Sequence, residues 1–271
     1  MPEGHTIHRL ARDQAKTLVG QIIRISSPQG RFDTGAALLD GRRLAFIDAC
    51  GKHLFYNFED DTGPVLHVHL GLFGKYRSQK RDVDEDLSEI PEPKGAVRVR
   101  FVSGTHIVDL NGPNQCEVIE PHEKQAIIDR LGPDPLRDDA DPARAWKRIH
   151  ASRCTIGQLI MDQSVIAGIG NIYRTELLFR ARLSPNMPGK DVSRKTFNAL
   201  WKDAVKLLNI GVKYNSIITI DLDKLDVPAT RLRYGERTLI FAKSVCPSCD
   251  EPVTRFEIAK RRAFCCETCQ K

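Results

Sequence analysis

The chain has no apolar run approaching the roughly 20 residues that a membrane-spanning helix requires, so no membrane partner is expected. Its start lacks a basic segment followed by an apolar core, so no secretory leader is read there and a cytoplasmic protein is expected. No internal repeat and no low-complexity segment is visible. Cysteine is sparse before position 246, with only Cys50, Cys116 and Cys154 scattered through the chain. A secreted disulfide scaffold would spread its cysteines and would usually be short, so that class is set aside.

What is present fits a soluble globular protein. The 271 residues are 41% hydrophobic and 28% charged, enough for one large domain or two ordinary ones. The net charge of +6 hints at an anionic partner, although a merely basic soluble protein fits the charge equally well.

Residues 3–19 read as an amphipathic helix, with Ile7, Leu10, Ala11 and Leu18 on one face. Residues 22–120 then read as strands. The stretches 43–58 and 65–70 alternate apolar residues, and 96–110 reads as two strands around Ser103-Gly104-Thr105. Strands at short spacing after one helix predict a β-sandwich or barrel. The acidic stretch 79–95, with Pro91 and Pro93, reads as an exposed loop. Between 121 and 142, prolines and aspartates predict a linker. Beyond it the period becomes helical: Phe197, Leu200, Trp201, Ala204, Leu207 and Leu208 form a stripe behind Ser193, a suitable N-cap.

Five cysteines crowd the end. Cys246-x2-Cys249 and Cys266-x2-Cys269, sixteen residues apart, carry the spacing of two knuckles that close a four-thiolate zinc site. Free or disulfide-linked thiols are the other reading. Cys265 is odd in this set and is read as a packing residue. Such a site would hold the basic run 260–262 rigidly, as phosphate recognition requires.

Residues 156–185 read as helix, turn, helix, with Gly168-Ile169-Gly170-Asn171 between them. Asn171 is read as the N-cap of the second helix, and a helix N-terminus under a glycine turn is an anion site. A purely structural turn fits as well. Lys52 follows Gly51 between apolar residues, either at a hairpin end facing a cleft or as an ordinary surface lysine. Leu72 and Phe73 lie between Gly71 and Gly74, either as core or as a wedge for a base stack.

These pieces in this order resemble the formamidopyrimidine-DNA glycosylase/endonuclease VIII family of base-excision repair enzymes. The carriers are Pro2-Glu3-Gly4, Gly51-Lys52, the stretch 161–179 and the cysteine pattern ending in Gln270. The start is closer to the endonuclease VIII branch, of the kind found in actinobacteria. The resemblance implies an α+β chain in three parts: an N-terminal catalytic β-sandwich domain with a leading helix (1–121), a linker and helix–two-turn–helix domain (122–236), and a zinc-finger ribbon (237–271). It implies one structural Zn2+ on Cys246, Cys249, Cys266 and Cys269, and a monomer acting on damaged double-stranded DNA lying in a cleft.

The resemblance also assigns roles. Pro2, freed of Met1, is the nucleophile, and Glu3 is the general acid/base. Lys52 and Arg261 complete the catalytic set by gripping phosphate near the lesion. Asn171, with the turn of Gly168 and Gly170, contacts the same backbone, and Leu72 and Phe73 fill the void left by the flipped nucleotide. The stretch 109–114 carries no arginine where the formamidopyrimidine branch has one, which favours oxidised pyrimidines. A non-catalytic zinc-dependent DNA- or RNA-binding protein on the same scaffold is the rival reading, and Pro2-Glu3 argues against it.

Overall fold

The computed structural model describes residues 2–59, 62–81, 90–225 and 227–271. The chain divides into two compact units, one of residues 1–2 and 7–129, the other of 3–6 and 130–271.

The first unit is built on eight antiparallel strands: β1 (Ile22–Ser26), β2 (Arg42–Cys50), β3 (His53–Phe58), β4 (Val65–His69), β5 (Lys75–Lys80), β6 (Val97–Val102), β7 (His106–Asn111) and β8 (Gln115–Ile119). Their order is β5-β7-β6-β1-β2-β3-β4-β8. Strand β1 is the corner: Ile22 and Ile23 pair with β2, while Arg24, Ile25 and Ser26 pair with β6. One sheet thereby folds over itself, and its two halves share a core. Phe101 and Val108 of one half pack with Leu54, Tyr56 and Leu66 of the other, and the Tyr56 and Phe101 rings stack at 5.1 Å.

Helix α1 (Gly4–Leu18) lays Ile7, Ala11 and Leu18 into that core, the face its periodicity predicts. Helix α2 (Asp33–Leu39) adds Ala36 and Leu39. Of the loop expected at 79–95, Gln79 and Lys80 end β5, and 82–89 lie outside the described residues.

The stretch 121–142 differs from the expected linker. Residues Pro121–Arg130 form helix α3, with proline at its first position and the Glu123 carboxylate accepting from the Glu120 amide. No α3 residue is buried, so it has no apolar stripe to betray it. Lys124 reaches in, donating to Asn57 at 3.0 Å and lying near Asp48 at 3.4 Å. Leu131–Pro135, in turn, are buried rather than exposed. The Gly132 amide donates to the Gln163 carbonyl, and the Ala167 amide donates to the Pro133 carbonyl.

The second unit holds α4 (Pro142–His150), the single-turn α5 (Ile156–Leu159), α6 (Asn171–Arg180), α7 (Arg194–Tyr214) and a hairpin of β9 (Thr254–Ile258) and β10 (Arg261–Cys265). Ser193 caps α7 by accepting from the Thr196 amide at 3.1 Å, as expected. Helix α6 is buried from Asn171 through Phe179, so its polar residues must find partners inside the protein. Among the described residues, no helix is long and apolar enough to cross a membrane.

Candidate functional site

The start of the chain docks on the glycine turn before α6. The Gly4 amide donates to the Gly168 carbonyl at 2.8 Å. The Glu3 side chain, fully buried, accepts from the amides of Gly170 at 2.8 Å, Ile172 at 2.9 Å and Tyr173 at 3.4 Å. Those amides are the orphan donors of a helix N-terminus, where the helix dipole favours negative charge. The anion on this turn is therefore Glu3 itself, so the anion site read from the sequence takes its anion from within the chain. The glycines are steric requirements. A β-carbon on Gly170 would fall inside the Glu3 side chain, and one on Gly4 would stand 2.8 Å from the Gly168 α-carbon. Gly168 also has φ +87°, a conformation that L side chains rarely adopt. Pro2, immediately before this anchor, is half-buried.

Asn171 is not the N-cap. Gly170 holds that position, and Asn171 is the first helical residue. Its Nδ2 donates to the Arg262 carbonyl at 3.0 Å, and its Oδ1 accepts from Arg174. Arg174 was not singled out from the sequence, yet it is 1% exposed and ties α6 to the hairpin. Its guanidinium donates to the carbonyls of Ile258 at 3.3 Å and Arg262 at 3.0 Å. Burial, against the attraction of Glu3 and with some repulsion from Arg261, lowers its pKa to about 10, so it stays charged at neutral pH.

Arg261 itself is exposed. It pairs with Ile258 across a two-residue turn in which Ala259 and Lys260 both have positive φ, 49° and 59°. Glu176 anchors the approach to the cysteines: fully buried, it accepts from the amides of Leu239, Ile240 and Phe241 at 2.7–2.9 Å. Arg237, on the approach to the cysteines, donates to the Leu232 carbonyl and the Ser216 hydroxyl.

The sulfurs of Cys246, Cys249, Cys266 and Cys269 lie within 4.8 Å of one another, with separations of 3.5 and 3.8 Å among the closest. Four thiolates at about 2.3 Å around a tetrahedral ion would be about 3.8 Å apart, so the donor set and its size fit zinc. At Cys266 burial opposes ionisation, but hydrogen bonds from the Cys269 backbone and neighbouring thiols outweigh it and bring the pKa to about 7. Cys265 stands apart, buried in β10, its thiol pushed up to about 11 chiefly by burial.

In the first unit, Lys52 occupies the β2–β3 turn after Gly51, φ +59°, and is half-buried. Around it lies a histidine set that composition did not reveal. His53 Nδ1 lies 2.9 Å from His67 Nε2, and His67 Nδ1 lies 2.9 Å from Glu117 Oε1. His69 pairs with His53 across β3 and β4, and burial first, then the Lys52 charge, lowers its pKa. The alternation of His67 and His69 in β4 was the available signal.

Leu72 and Phe73 are 47% and 84% exposed, which decides for the tip over the core. Gly71 has φ +64° and Gly74 has no room for a β-carbon beside the Leu70 carbonyl, so the turn cannot be built otherwise. In the stretch 109–114, Asp109 is held by Arg100 through two bonds of 2.7 and 2.8 Å.

Two family descriptions match: the formamidopyrimidine-DNA glycosylase N-terminal domain over residues 1–113 and the formamidopyrimidine-DNA glycosylase H2TH domain over residues 131–222. Endonuclease 8 1 of Mycobacterium tuberculosis is 43% identical over 272 residues, covering 100% of both chains. Formamidopyrimidine-DNA glycosylase of Thermus thermophilus is 26% identical, covering 100% of this chain and 98% of its own. The crystal structure of MutM (Fpg) from Thermus thermophilus superposes with a TM-score of 0.77 at 25% identity, covering 99% of this chain and 98% of that one. The Lactococcus lactis Fpg in complex with DNA containing N7-benzyl-Fapy-dG gives a TM-score of 0.79 at 20% identity, covering 100% of both chains.

Proposed function

Because the chain belongs to the formamidopyrimidine-DNA glycosylase/endonuclease VIII family, we propose that it is a bifunctional glycosylase and AP lyase that removes oxidised bases from damaged duplex DNA through Pro2. The observation that carries this reading is the Glu3 carboxylate, locked on the N-terminus of α6 by backbone amides. A residue so fixed holds its neighbour Pro2 and keeps a carboxyl group beside the reacting sugar.

The chemistry follows from the residue types. A proline amine has a pKa near the α-amino range of about 7.7–8.0, which leaves a useful neutral fraction at pH 7. Its lone pair attacks C1′. The glycosidic bond breaks as the base takes up a proton, and Glu3 protonates the ring oxygen as the sugar opens. The amine loses its proton, leaving an iminium at C1′ that acidifies C2′. Loss of a C2′ proton expels the 3′ phosphate, and a second elimination through C4′ expels the 5′ phosphate.

Lys52, Arg261 and the remaining N–H of Asn171 Nδ2 serve as phosphate contacts, while Leu72 and Phe73 fill the gap left by the flipped nucleotide. Cys246, Cys249, Cys266 and Cys269 would hold the zinc ion, which would supply folding energy to the hairpin that presents Arg261. A preference for oxidised pyrimidines is supported by the 109–114 stretch, which has no arginine and whose Asp109 is already paired.

The test is borohydride reduction in the presence of lesion-bearing duplex. Wild type should be trapped as a covalent adduct, and Pro2→Gly, which offers a primary amine in place of the secondary one, should be trapped far more weakly. Equal trapping of both, or none by wild type, overturns the assignment. Excision rates on thymine glycol, dihydrouracil and 8-oxoguanine in one duplex test the preference, and fastest cutting of 8-oxoguanine would reverse it.

A further inference from the structure

A second concave site lies in the helical unit, at the opposite end of α6 from Asn171, roughly 15 Å along the helix. It is a groove of about 660 Å³, floored by Leu177, Phe179, Leu200 and Leu239 from α6, α7 and the approach to the cysteines. Apart from Cys269 on its wall, one of the four cysteines of the metal site, no residue given a role in the glycosylase reading lines it.

Its charges are sorted in an informative way. Arg180 is committed: it donates to Asp203 at 2.6 and 3.1 Å, to Asp221 at 3.2 Å and to the Thr219 carbonyl at 2.8 Å. That network occupies the two acids of the groove with one guanidinium, which leaves a single net negative charge inside it. Arg182, Lys202 and Lys206 are exposed along its edge, and among the described residues none of the three has an ion-pair partner. The backbone of Arg182 is held at φ 52°, just past the end of α6, where glycine is the usual occupant. Its amide donates to the Phe179 carbonyl and its carbonyl accepts from the Lys271 amide. An arginine kept in a strained glycine position holds a guanidinium at the groove mouth.

We propose that this groove docks an acidic peptide segment of a partner protein, with a large apolar side chain seated on the floor and carboxylates on Arg182, Lys202 and Lys206. Duplex DNA fits it less well. A phosphate backbone asks for an extended basic stripe, and it has nothing to place on an apolar floor.

The experiment uses full-length, zinc-loaded protein and a fluorescein-labelled hexapeptide of four aspartates followed by leucine and phenylalanine, read by anisotropy. Saturable binding in the micromolar range is expected. Replacing the last two residues of the peptide by serine should weaken it at least fivefold. The double variant Lys202→Glu, Lys206→Glu should weaken it at least tenfold, with lesion excision and melting temperature unchanged, since both lysines are exposed and outside the catalytic set. Ala199→Trp, which fills the groove without altering charge, should also block the peptide. Absence of saturable binding, or equal binding by the charge-reversed protein, overturns the proposal. So does loss of affinity for undamaged duplex, rather than for peptide, in that variant, which would make the groove a nucleic-acid surface.

Discussion

The turn at Gly168–Asn171 and the turn at Leu70–Gly74 both depend on glycine, and they use it to opposite ends. In the first, missing β-carbons let a carboxylate and a second stretch of backbone come close enough to be buried, and the Glu3 carboxylate there is fully satisfied. In the second, glycines tighten the chain so that Leu72 and Phe73 stand out into solvent. A buried charge tolerates only one geometry, because any shift leaves an unpaired group in a poor dielectric. An exposed apolar tip tolerates many, and its worth is realised only against a partner surface. The comparison predicts that substitutions in the first turn damage chemistry and folding together, while those in the second leave the fold untouched.

The largest effect is expected from Glu3→Gln, which keeps the shape but removes the proton donor and acceptor. Single-turnover excision should fall by about 10²–10⁴-fold. Gly170→Ala should come close to that loss and also lower the melting temperature, because the new methyl group must displace Glu3. A wild-type rate for this variant would show that the tight fit has no catalytic role.

Next comes His5, buried beside Tyr173 on the same turn. Burial first, and the amino-terminal charge second, lower its pKa from 6.5 to about 4. The unfolded chain therefore binds more protons between these values, so stability falls as pH drops from 6.5 toward 4, by up to about 3 kcal/mol. Denaturant midpoints across that window should slope less in His5→Asn than in wild type. The smallest effect belongs to the tip: Leu72→Ala with Phe73→Ala should leave thermal stability within about 0.5 kcal/mol. Lesion excision should drop by about tenfold, roughly 1.4 kcal/mol, a part of the few kcal/mol that unstacking one base step costs. A clear loss of stability would mean that the tip is packed rather than presented.

What could be read from the sequence divides along the range of the interaction. The cysteine knuckles, the hairpin around Gly104, the Ser193 cap and the apolar faces of α1 and α7 depend on residues a few positions apart, and each was legible. The cap of α6 was misread because its carboxylate comes from Glu3, 167 residues or more away in sequence. The same applies to Arg174, whose partners Ile258 and Arg262 lie 84 and 88 residues on, and to the His53–His67–Glu117 chain, which exists only once β3, β4 and β8 are in register. Helix α3 escaped because a helix with no buried face leaves no apolar period.

The anchoring of Glu3 also fixes an order of events. Glu3 finds its partners only after the amides of Gly170, Ile172 and Tyr173, far later in the chain, exist and α6 has formed. An unfinished or truncated chain thus carries Glu3 without the amides that hold it. Completion of the second unit acts as an interlock, fixing the Glu3 carboxylate only when α6 is there to receive it.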